Sequence, residues 1–411
     1  MKKSVDIIVF GATGFTGKFT VLQLARLTKE KYLDIKWGIA GRSKEKLEML
    51  TTEIHNAGFD IKNVPVIECD ANNEESLKNM LRVTKVVINC SGVNIILSPK
   101  IVKVCIETGT HYVDISSEIF HILSLHRDYD KVAKNANILV IPCCGYSSLL
   151  METAMMYLDK KFKGTLHSVE CYVENFLPMS LPPKALLHKG TWTSLVHVLI
   201  TFKEYLALKK EILPKAYEPE KEKIKRPFFF RNNSQLWFPW PGVENDTVLM
   251  SQKHLYEESG KKPFHFNAYT TCEKWYQFLL IPAMYIYYYL CYFKCFAKLL
   301  INYPRVFTFG LISEKGPTHE IAQKMKFSFL LNGKGWETGD QNWEPTKTIS
   351  VKVSGKDPYD ATVFAVIMSA ITVIKERWNM PTGGVIMPGA AFYETDLVDR
   401  LKDVFTYEVL K

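Results

Sequence analysis

The strongest constraint in this sequence is a set of spaced glycines at the end of an apolar run. Residues 5–10, Val-Asp-Ile-Ile-Val-Phe, lead into Gly11-Ala12-Thr13-Gly14-Phe15-Thr16-Gly17, and the next stretch places Val21, Leu24 and Ala25 on one helical face. Glycines three residues apart let a chain leave a strand, turn tightly and start a helix whose backbone N–H groups face a phosphate at the positive end of the helix dipole. A glycine-rich turn without a ligand has the same composition, but here strand, turn and helix follow in the order that a dinucleotide-binding turn requires. Gly11, Thr13, Gly14, Phe15, Thr16 and Gly17 are therefore the expected pyrophosphate cradle.

Short apolar runs recur at 35–40, 64–69, 86–90, 112–115 and 138–142, the pattern of strands buried on both faces. Amphipathic stretches separate them. One spans 43–57 with Leu47, Leu50 and Ile54 and stops at Gly58; another is expected to be capped by Ser98-Pro99 and to run to Gly109. This repetition predicts an α/β fold, a doubly wound parallel sheet with helices on both faces. After the second strand stands Arg42, where NAD enzymes carry an acidic residue for the ribose hydroxyls. A guanidinium there, with Lys44 close by, suits the 2′-phosphate of NADP in preference to NAD. Asp70, at the end of the third strand, either borders an adenine or makes a turn. Cys90, Ser91 and Gly92 follow the fourth strand at the carboxyl edge, where such sheets bind ligands and where small residues admit a ribose and a nicotinamide.

The chain has 411 residues, enough for two or three domains, and its 47% hydrophobic and 23% charged residues exclude collagen-like and wholly disordered classes. A net charge of +9 without a long basic block favours anionic ligands or lipid head groups over nucleic acid. Nine cysteines form no CxxC pair, so reduced thiols and no metal site are expected. Asp6 and Gly11 interrupt the first apolar run, so no secretory signal is expected. Residues 209–225, with Glu218, Glu220 and Glu222 alternating with Lys221, Lys223 and Lys225, read as a solvated loop.

Aromatic residues make up 13% of the chain, and residues 275–293 hold no charge between Lys274 and Lys294. Length permits a transmembrane helix, but six tyrosines, Pro282 and Gln277 suit a head-group boundary better than a hydrocarbon centre. Shallow or hairpin-like insertion is the expected placement, with a buried core helix and a full span as alternatives. In the shallow placement Lys294, Lys298 and Arg305 face anionic lipid, and Cys291 and Cys295 are placed for acylation.

Several motifs together carry a family resemblance: Gly11 to Gly17, Ala40-Gly41-Arg42, Asn89-Cys90-Ser91-Gly92, the run Gly109 to Asp114, and Ile141-Pro142-Cys143-Cys144-Gly145. Near the other end stand Val353-Ser354-Gly355, Asp357-Pro358-Tyr359 with Ala361-Thr362, Gly383-Gly384-Val385 and the run Pro388 to Phe392. The sequence resembles the saccharopine dehydrogenase-like oxidoreductases and, more distantly, the bacterial trans-acting enoyl reductases of glycolipid synthesis. The resemblance implies an NADP-binding Rossmann domain, here residues 1–150, and a second α+β domain over 151–350; the charge-free aromatic stretch gives that domain an apolar membrane-associating segment at 275–301. A C-terminal segment, 351–411, is expected to pack back on the Rossmann domain. It also implies association with membranes: the cytosolic face of a lipid droplet or the endoplasmic reticulum, with the mitochondrion as the other location. The expected partners are a lipid surface and an apolar small molecule, and a homodimer is compatible with both. Gly145-Tyr146-Ser147-Ser148, Ser91-Gly92-Val93-Asn94 and His188-Lys189-Gly190-Thr191 depart from the motifs commoner in the family.

No Tyr-xxx-Lys pair of the short-chain dehydrogenase kind stands in the expected place. The candidates for a proton donor are His111, Tyr112, Asp114, Tyr146 and His188, and alternation along a strand lets at most two of the run His111 to Asp114 share a cleft. The expected function is an NADP-dependent oxidoreductase acting on a lipid-like substrate at a membrane or lipid-droplet surface, in lipid or glycolipid metabolism. The alternative is a catalytically inactive cofactor-binding protein that serves as a lipid-surface interaction module. A soluble saccharopine-type enzyme is disfavoured, because no basic cluster suits a dicarboxylate.

Overall fold

The computed structural model describes residues 3–178, 184–213, 224–232, 234–272, 274–337 and 344–410. The centre of the expected charged loop, 214–223, lies outside the described residues, and 209–212 close a helix, Phe202–Ile212. The chain divides into two compact units. The first comprises Met1–Ser116, Ser124–Leu149 and Tyr359–Leu401; the second comprises Ser117–Leu123, Leu150–Pro358 and Lys402–Lys411.

The first unit is built on six strands, β1 (Val5–Phe10), β2 (Trp37–Gly41), β3 (Val66–Glu68), β4 (Thr84–Asn89), β5 (His111–Asp114) and β6 (Leu139–Ile141). The chain's first helices are α1 (Phe15–Glu30), α2 (Lys44–Asn56), α3 (Glu74–Leu81), α4 (Asn94–Thr108), α5 (Ile119–Asn135) and α6 (Tyr146–Phe162). With the short strand Gly384–Val385, the sheet is parallel throughout and ordered Gly384–Val385, β6, β5, β4, β1, β2, β3. Ile7, Ile8 and Val9 of β1 and Val86, Val87 and Ile88 of β4 are wholly buried, as strands covered on both faces must be. At the edge, β3 keeps only three paired residues of the expected six-residue run and leaves Val66 and Glu68 exposed.

Helix α4 starts one turn before the expected Ser98-Pro99 cap. Val93 turns the chain in a left-handed conformation, φ 31°, and Pro99 falls inside the helix, where it removes one backbone bond. Ser98 is thereby buried, and its hydroxyl accepts a hydrogen bond from Asn89 Nδ2 at 3.3 Å.

The helix Pro358–Lys375 completes the first unit from the far end of the sequence. Twelve of its residues between Ala361 and Val373 are buried, so apolar residues on every face are a packing requirement. Tyr32 Oη meets Met368 Sδ at 3.7 Å, Lys375 pairs with Asp34, and Val385 N donates to Asp130 Oδ1 at 2.8 Å. Among the described residues this is the one helix long and apolar enough to cross a membrane, and most of it is buried.

The second unit holds a mixed sheet ordered Thr406–Val409, Lys347–Lys356, Lys326–Trp336, Thr165–Phe176, His265–Thr271, Gln235–Pro239, Phe230–Asn232. All neighbours are antiparallel except Thr165–Phe176 with His265–Thr271. The apolar segment forms the helices Leu280–Cys291 and Lys294–Asn302. With the turn before it, the apolar helix runs Gln277–Cys291, about 22 Å at 1.5 Å per residue against roughly 30 Å of hydrocarbon, short of the length a full span needs. Nor is it a core helix, because Tyr285, Ile286 and Tyr289 are all more than half exposed.

If the C-terminal helix belongs to the first unit's core, Ile367→Ala should lower that unit's unfolding free energy by about 2–5 kcal/mol. Urea denaturation followed by nucleotide fluorescence measures this; a change below ~0.5 kcal/mol would show that the helix is dispensable there.

Candidate functional site

In the first sheet the chain winds outward from β1 through β2 to β3 on one side and from β4 through β5 to β6 on the other. The reversal between β1 and β4 opens a crevice at their carboxyl ends, and ligands of doubly wound sheets bind at such points. Two loops meet there, the Gly11–Gly17 turn and the stretch from Asn89 to Gly92.

They meet closely enough to dictate composition. A β-carbon on Gly11 would stand 2.6 Å from Ser91 N and 2.7 Å from Ser91 Cα, and φ at Gly11 is +78°. A β-carbon on Gly17 would stand 2.1 Å from Gly11 O. Gly11 N donates to Ala40 O at 2.9 Å, Cys90 N donates to Phe10 O at 2.8 Å, and Gly14 N donates to Gly11 O at 3.0 Å. Gly14 is the N-cap of α1 without a capping side chain, and the first turn holds no acidic residue. The positive end of α1 is therefore neither capped by a side chain nor neutralised by a carboxylate, the arrangement a pyrophosphate needs. The residues present fit an NADP-type dinucleotide.

Arg42 stands one residue beyond β2, exposed, and no ion pair among the described residues engages it. Ser43 next to it caps α2, its hydroxyl accepting from Lys46 N at 3.3 Å. Thr13 lies near the end of β2, its Oγ1 3.8 Å from where a β-carbon on Gly41 would be. Asp70 makes a turn: Oδ1 accepts from Asn72 N at 2.9 Å. Phe15 packs edge-on against Phe19 and against Tyr359, each at 5.3 Å. Burial pushes the Cys90 thiol up to about 12, so it is a neutral packing group, 3.7 Å from Thr20 Oγ1.

The proton-donor candidates separate. Asp114 ends β5 and is wholly buried; it accepts hydrogen bonds from Tyr112 Oη (2.8 Å), Ser116 N (2.9 Å), Ser116 Oγ (2.7 Å) and Cys143 N (3.1 Å). Burial raises its pKa and these donors oppose the rise. Tyr112 Oη in turn accepts from Asn89 Nδ2 at 2.9 Å, and Asn89 Oδ1 accepts from Ser91 N (3.0 Å) and Ser91 Oγ (2.6 Å). The chain Asp114–Tyr112–Asn89–Ser91 thus runs from β5 to the loop that touches Gly11. Asp114 is a positioning carboxylate.

His111 begins β5, at the opposite edge of the sheet from the glycine turn, about 10 Å of strand from Asp114. Its Nδ1 accepts from Leu139 N at 3.0 Å, a structural role between neighbouring strands. Tyr146 opens α6, its N donating to Thr362 Oγ1 at 3.4 Å. His188, in the second unit, caps the helix Lys189–Ile200 by accepting from Gly190 N at 2.9 Å. Thr20 carried no sequence signal, since a buried threonine on a helix's inner face looks like packing. Tyr359 and Thr362 were legible as a motif, but their place beside Phe15 and Tyr146 was not.

Gly17→Ala should weaken dinucleotide binding at least tenfold, since the added methyl forces α1 off Gly11; isothermal titration checks it, and retained affinity would remove the turn from the site. A second expectation concerns pH. Burial, reinforced by the Arg377 and Lys3 cations, lowers His111 from 6.5 to about 4. The unfolded chain then binds more protons between those values, so this contribution is complete above pH 6.5 and is lost as pH falls toward 4. His111→Asn keeps an acceptor and removes the titration, so the acid-side loss of stability should shrink by up to ~3 kcal/mol. Unfolding curves across that range measure it, and an unchanged slope would refute the assignment.

The family model of the saccharopine dehydrogenase NADP-binding domain matches residues 7–141, from β1 through β6. A Mus musculus saccharopine dehydrogenase-like oxidoreductase is 31% identical over 419 residues, 97% of this chain and 96% of that one. A Caenorhabditis elegans lipid droplet localized protein is 29% identical, with 98% of both chains covered. Among solved structures, apo saccharopine dehydrogenase (L-Glu forming) from Saccharomyces cerevisiae matches with a TM-score of 0.54 at 14% identity, covering 99% of this chain and 100% of that one, a likeness of fold. A glycine cradle at the switch point, an NADP-binding domain match around it and a relative aligned over nearly its whole length lead to one assignment: this chain belongs to the saccharopine dehydrogenase-like oxidoreductase family.

Proposed function

We propose that the chain is an NADPH-dependent oxidoreductase whose substrate is lipid-like and which works at a membrane or lipid-droplet surface. The observation that carries the cofactor half is Arg42: an exposed guanidinium past β2, beside a glycine turn with no acid in its first helical turn, suits a 2′-phosphate and has no other partner among the described residues. In this reading the turn and the start of α1 hold the pyrophosphate, and Ser91 and Gly92 admit the ribose and nicotinamide. The nicotinamide supplies the hydride chemistry when bound. The Asp114–Tyr112–Asn89 chain keeps Ser91 in register with Gly11 and so fixes the width of the cleft. The exposed aromatic helices of the second unit and the name of the C. elegans relative support the lipid half.

A second reading, a cofactor-binding lipid-surface protein without turnover, is favoured by one observation. Asp114 is saturated with hydrogen bonds, Tyr112 is buried between it and Asn89, and His111 stands at the far edge, which leaves Tyr146 as the first unit's remaining proton-donor candidate from the sequence. Sustained NADPH oxidation with long-chain carbonyl or enoyl compounds separates the two readings.

The first test is titration of the purified protein with NADPH and NADH by nicotinamide fluorescence, repeated with Arg42→Ala. A charge-assisted contact of about 1.5–3 kcal/mol corresponds to a loss of roughly 10- to 100-fold in NADPH affinity, with NADH affinity unchanged. Equal losses for both cofactors, or none, would count against the 2′-phosphate role.

A further inference from the structure

The second unit carries an apolar surface whose composition is the reverse of an ordinary protein exterior. On the helix Leu280–Cys291 and the residues just after it, Pro282, Tyr285, Ile286, Tyr289 and Phe293 follow at spacings of three, one, three and four, which places them on one face. That face points outward: Tyr289 is 65% and Phe293 62% exposed. A surface helix normally turns its polar residues to water and its apolar stripe inward.

The inner face is already satisfied. Cys291, Ala297 and Leu300 pack on Trp192 and Val196 of the helix Lys189–Ile200, and Trp192 Nε1 donates to Leu300 O at 2.7 Å. Tyr287 packs edge-on against Trp192 at 5.5 Å, and its hydroxyl bonds Phe307 O. The helix pair is thus held from within, and the outer stripe is surplus to folding.

The stripe continues across segments far apart in sequence. Phe202 meets Tyr288 at 5.6 Å, and Lys203 Nζ stands 4.6 Å over the Tyr292 ring. Beyond the second helix, Val306 and Phe309 are 68% and 82% exposed. From Lys274 to Ser313 the chain contains no aspartate or glutamate. The cations Lys294, Lys298 and Arg305 are exposed on this stretch, with Lys203 beside it.

From this we infer that the composite face docks onto an anionic phospholipid surface, with the outward stripe of Leu280–Cys291 and Phe293 seated among head groups and upper acyl chains and the cations on lipid phosphates. Charge complementarity selects the occupant: a stretch from Lys274 to Ser313 that carries cations and no carboxylate suits an anionic leaflet. The aromatic composition agrees, since tyrosine favours the head-group boundary. Depth is set by geometry. The helix Gln277–Cys291, about 22 Å long and held along its inner face by Trp192 and Leu300, lies in the interface and stays within one leaflet. The inference rests on the surface-association half of the proposed function and is independent of the cofactor half.

The test is flotation of the full-length protein with phosphatidylcholine vesicles made with and without phosphatidylserine, with NADPH affinity measured on the same preparations. Wild type should float with the anionic vesicles, and high salt should weaken the association. Lys294→Gln/Lys298→Gln/Arg305→Gln should lower partitioning about 100-fold, and Ile286→Asp/Phe293→Asp should abolish it. These side chains are exposed, so NADPH affinity should be unchanged in both variants. A protein that binds NADPH but ignores both vesicle types would overturn the inference. So would a concentration-dependent dimer that Ile286→Asp/Phe293→Asp dissolves while vesicles are ignored, since the face would then belong to a second copy. Flotation without nucleotide binding would instead remove the oxidoreductase reading and leave the inference standing.

Discussion

At the crevice between β1 and β4, two stretches of backbone touch with no room for a side chain between them. Gly11 lies so near Ser91 that a single methyl group would overlap its amide, and Gly17 lies still nearer to Gly11 O. That contact fixes where α1 begins and where its positive end points. It also explains why the polar chain behind Ser91 is complete. Asp114, Tyr112 and Asn89 are fully buried, where an unpaired polar group costs about 1–3 kcal/mol, and each finds partners until the chain ends on Ser91. A carboxylate with four donors is poorly suited to passing protons and well suited to holding two loops at a fixed separation.

The parts of the fold legible in sequence were those set by local periodicity. The apolar runs gave β1, β2, β4, β5 and β6 nearly in full because strands covered on both faces have no polar alternation to blur them. Val66–Glu68 shortened because an edge strand is paired on one side only. The start of α4 was misplaced because Val93 adopts a left-handed turn that a β-branched residue rarely takes. The candidate site divides along the same line. The glycines and Arg42 announce themselves by spacing and position. Asp114 and His111 sit three residues apart in one strand, so the sequence offers them as near equals. Only the direction of β5 tells them apart, placing one at the carboxyl edge and the other at the opposite edge.

The two most apolar helices show the limit of composition alone. Pro358–Lys375 has the length and hydropathy of a membrane span, yet it is mostly buried as a core helix of the first unit. Leu280–Cys291 is shorter and rich in tyrosine, and it is the one with its apolar face exposed. Both satisfy the hydrophobic effect once their surroundings are counted. The first has Tyr32 and the residues around it to pack on, whereas the second has Trp192 and Leu300 on one side and, on the other, leaves Tyr289 and Phe293 65% and 62% exposed. Tyrosine content agrees with that exposure, because its hydroxyl discourages full burial and tolerates a wet boundary.

In the proposed function, a lipid-directed oxidoreductase faces a solvent problem that an amino-acid enzyme of the same fold would not. Its cofactor is a highly charged nucleotide that partitions into water, and its substrate partitions out of it. On that proposal the chain would meet each demand with a separate element. The first unit offers backbone amides, a helix terminus and a guanidinium, groups that bind phosphate strongly and have no use for apolar ligands. The second unit offers aromatic surface bordered by lysines, which has no use for a nucleotide. The two elements lie in different compact units. A relative could therefore keep the nucleotide cradle and lose the aromatic face, or the reverse, so the turn at Gly11–Gly17 by itself says little about substrate. The choice of substrate has to be read from what surrounds the cradle, and the exposed stripe through Tyr289 and Phe293 is the feature on which the proposed lipid reading of this chain draws.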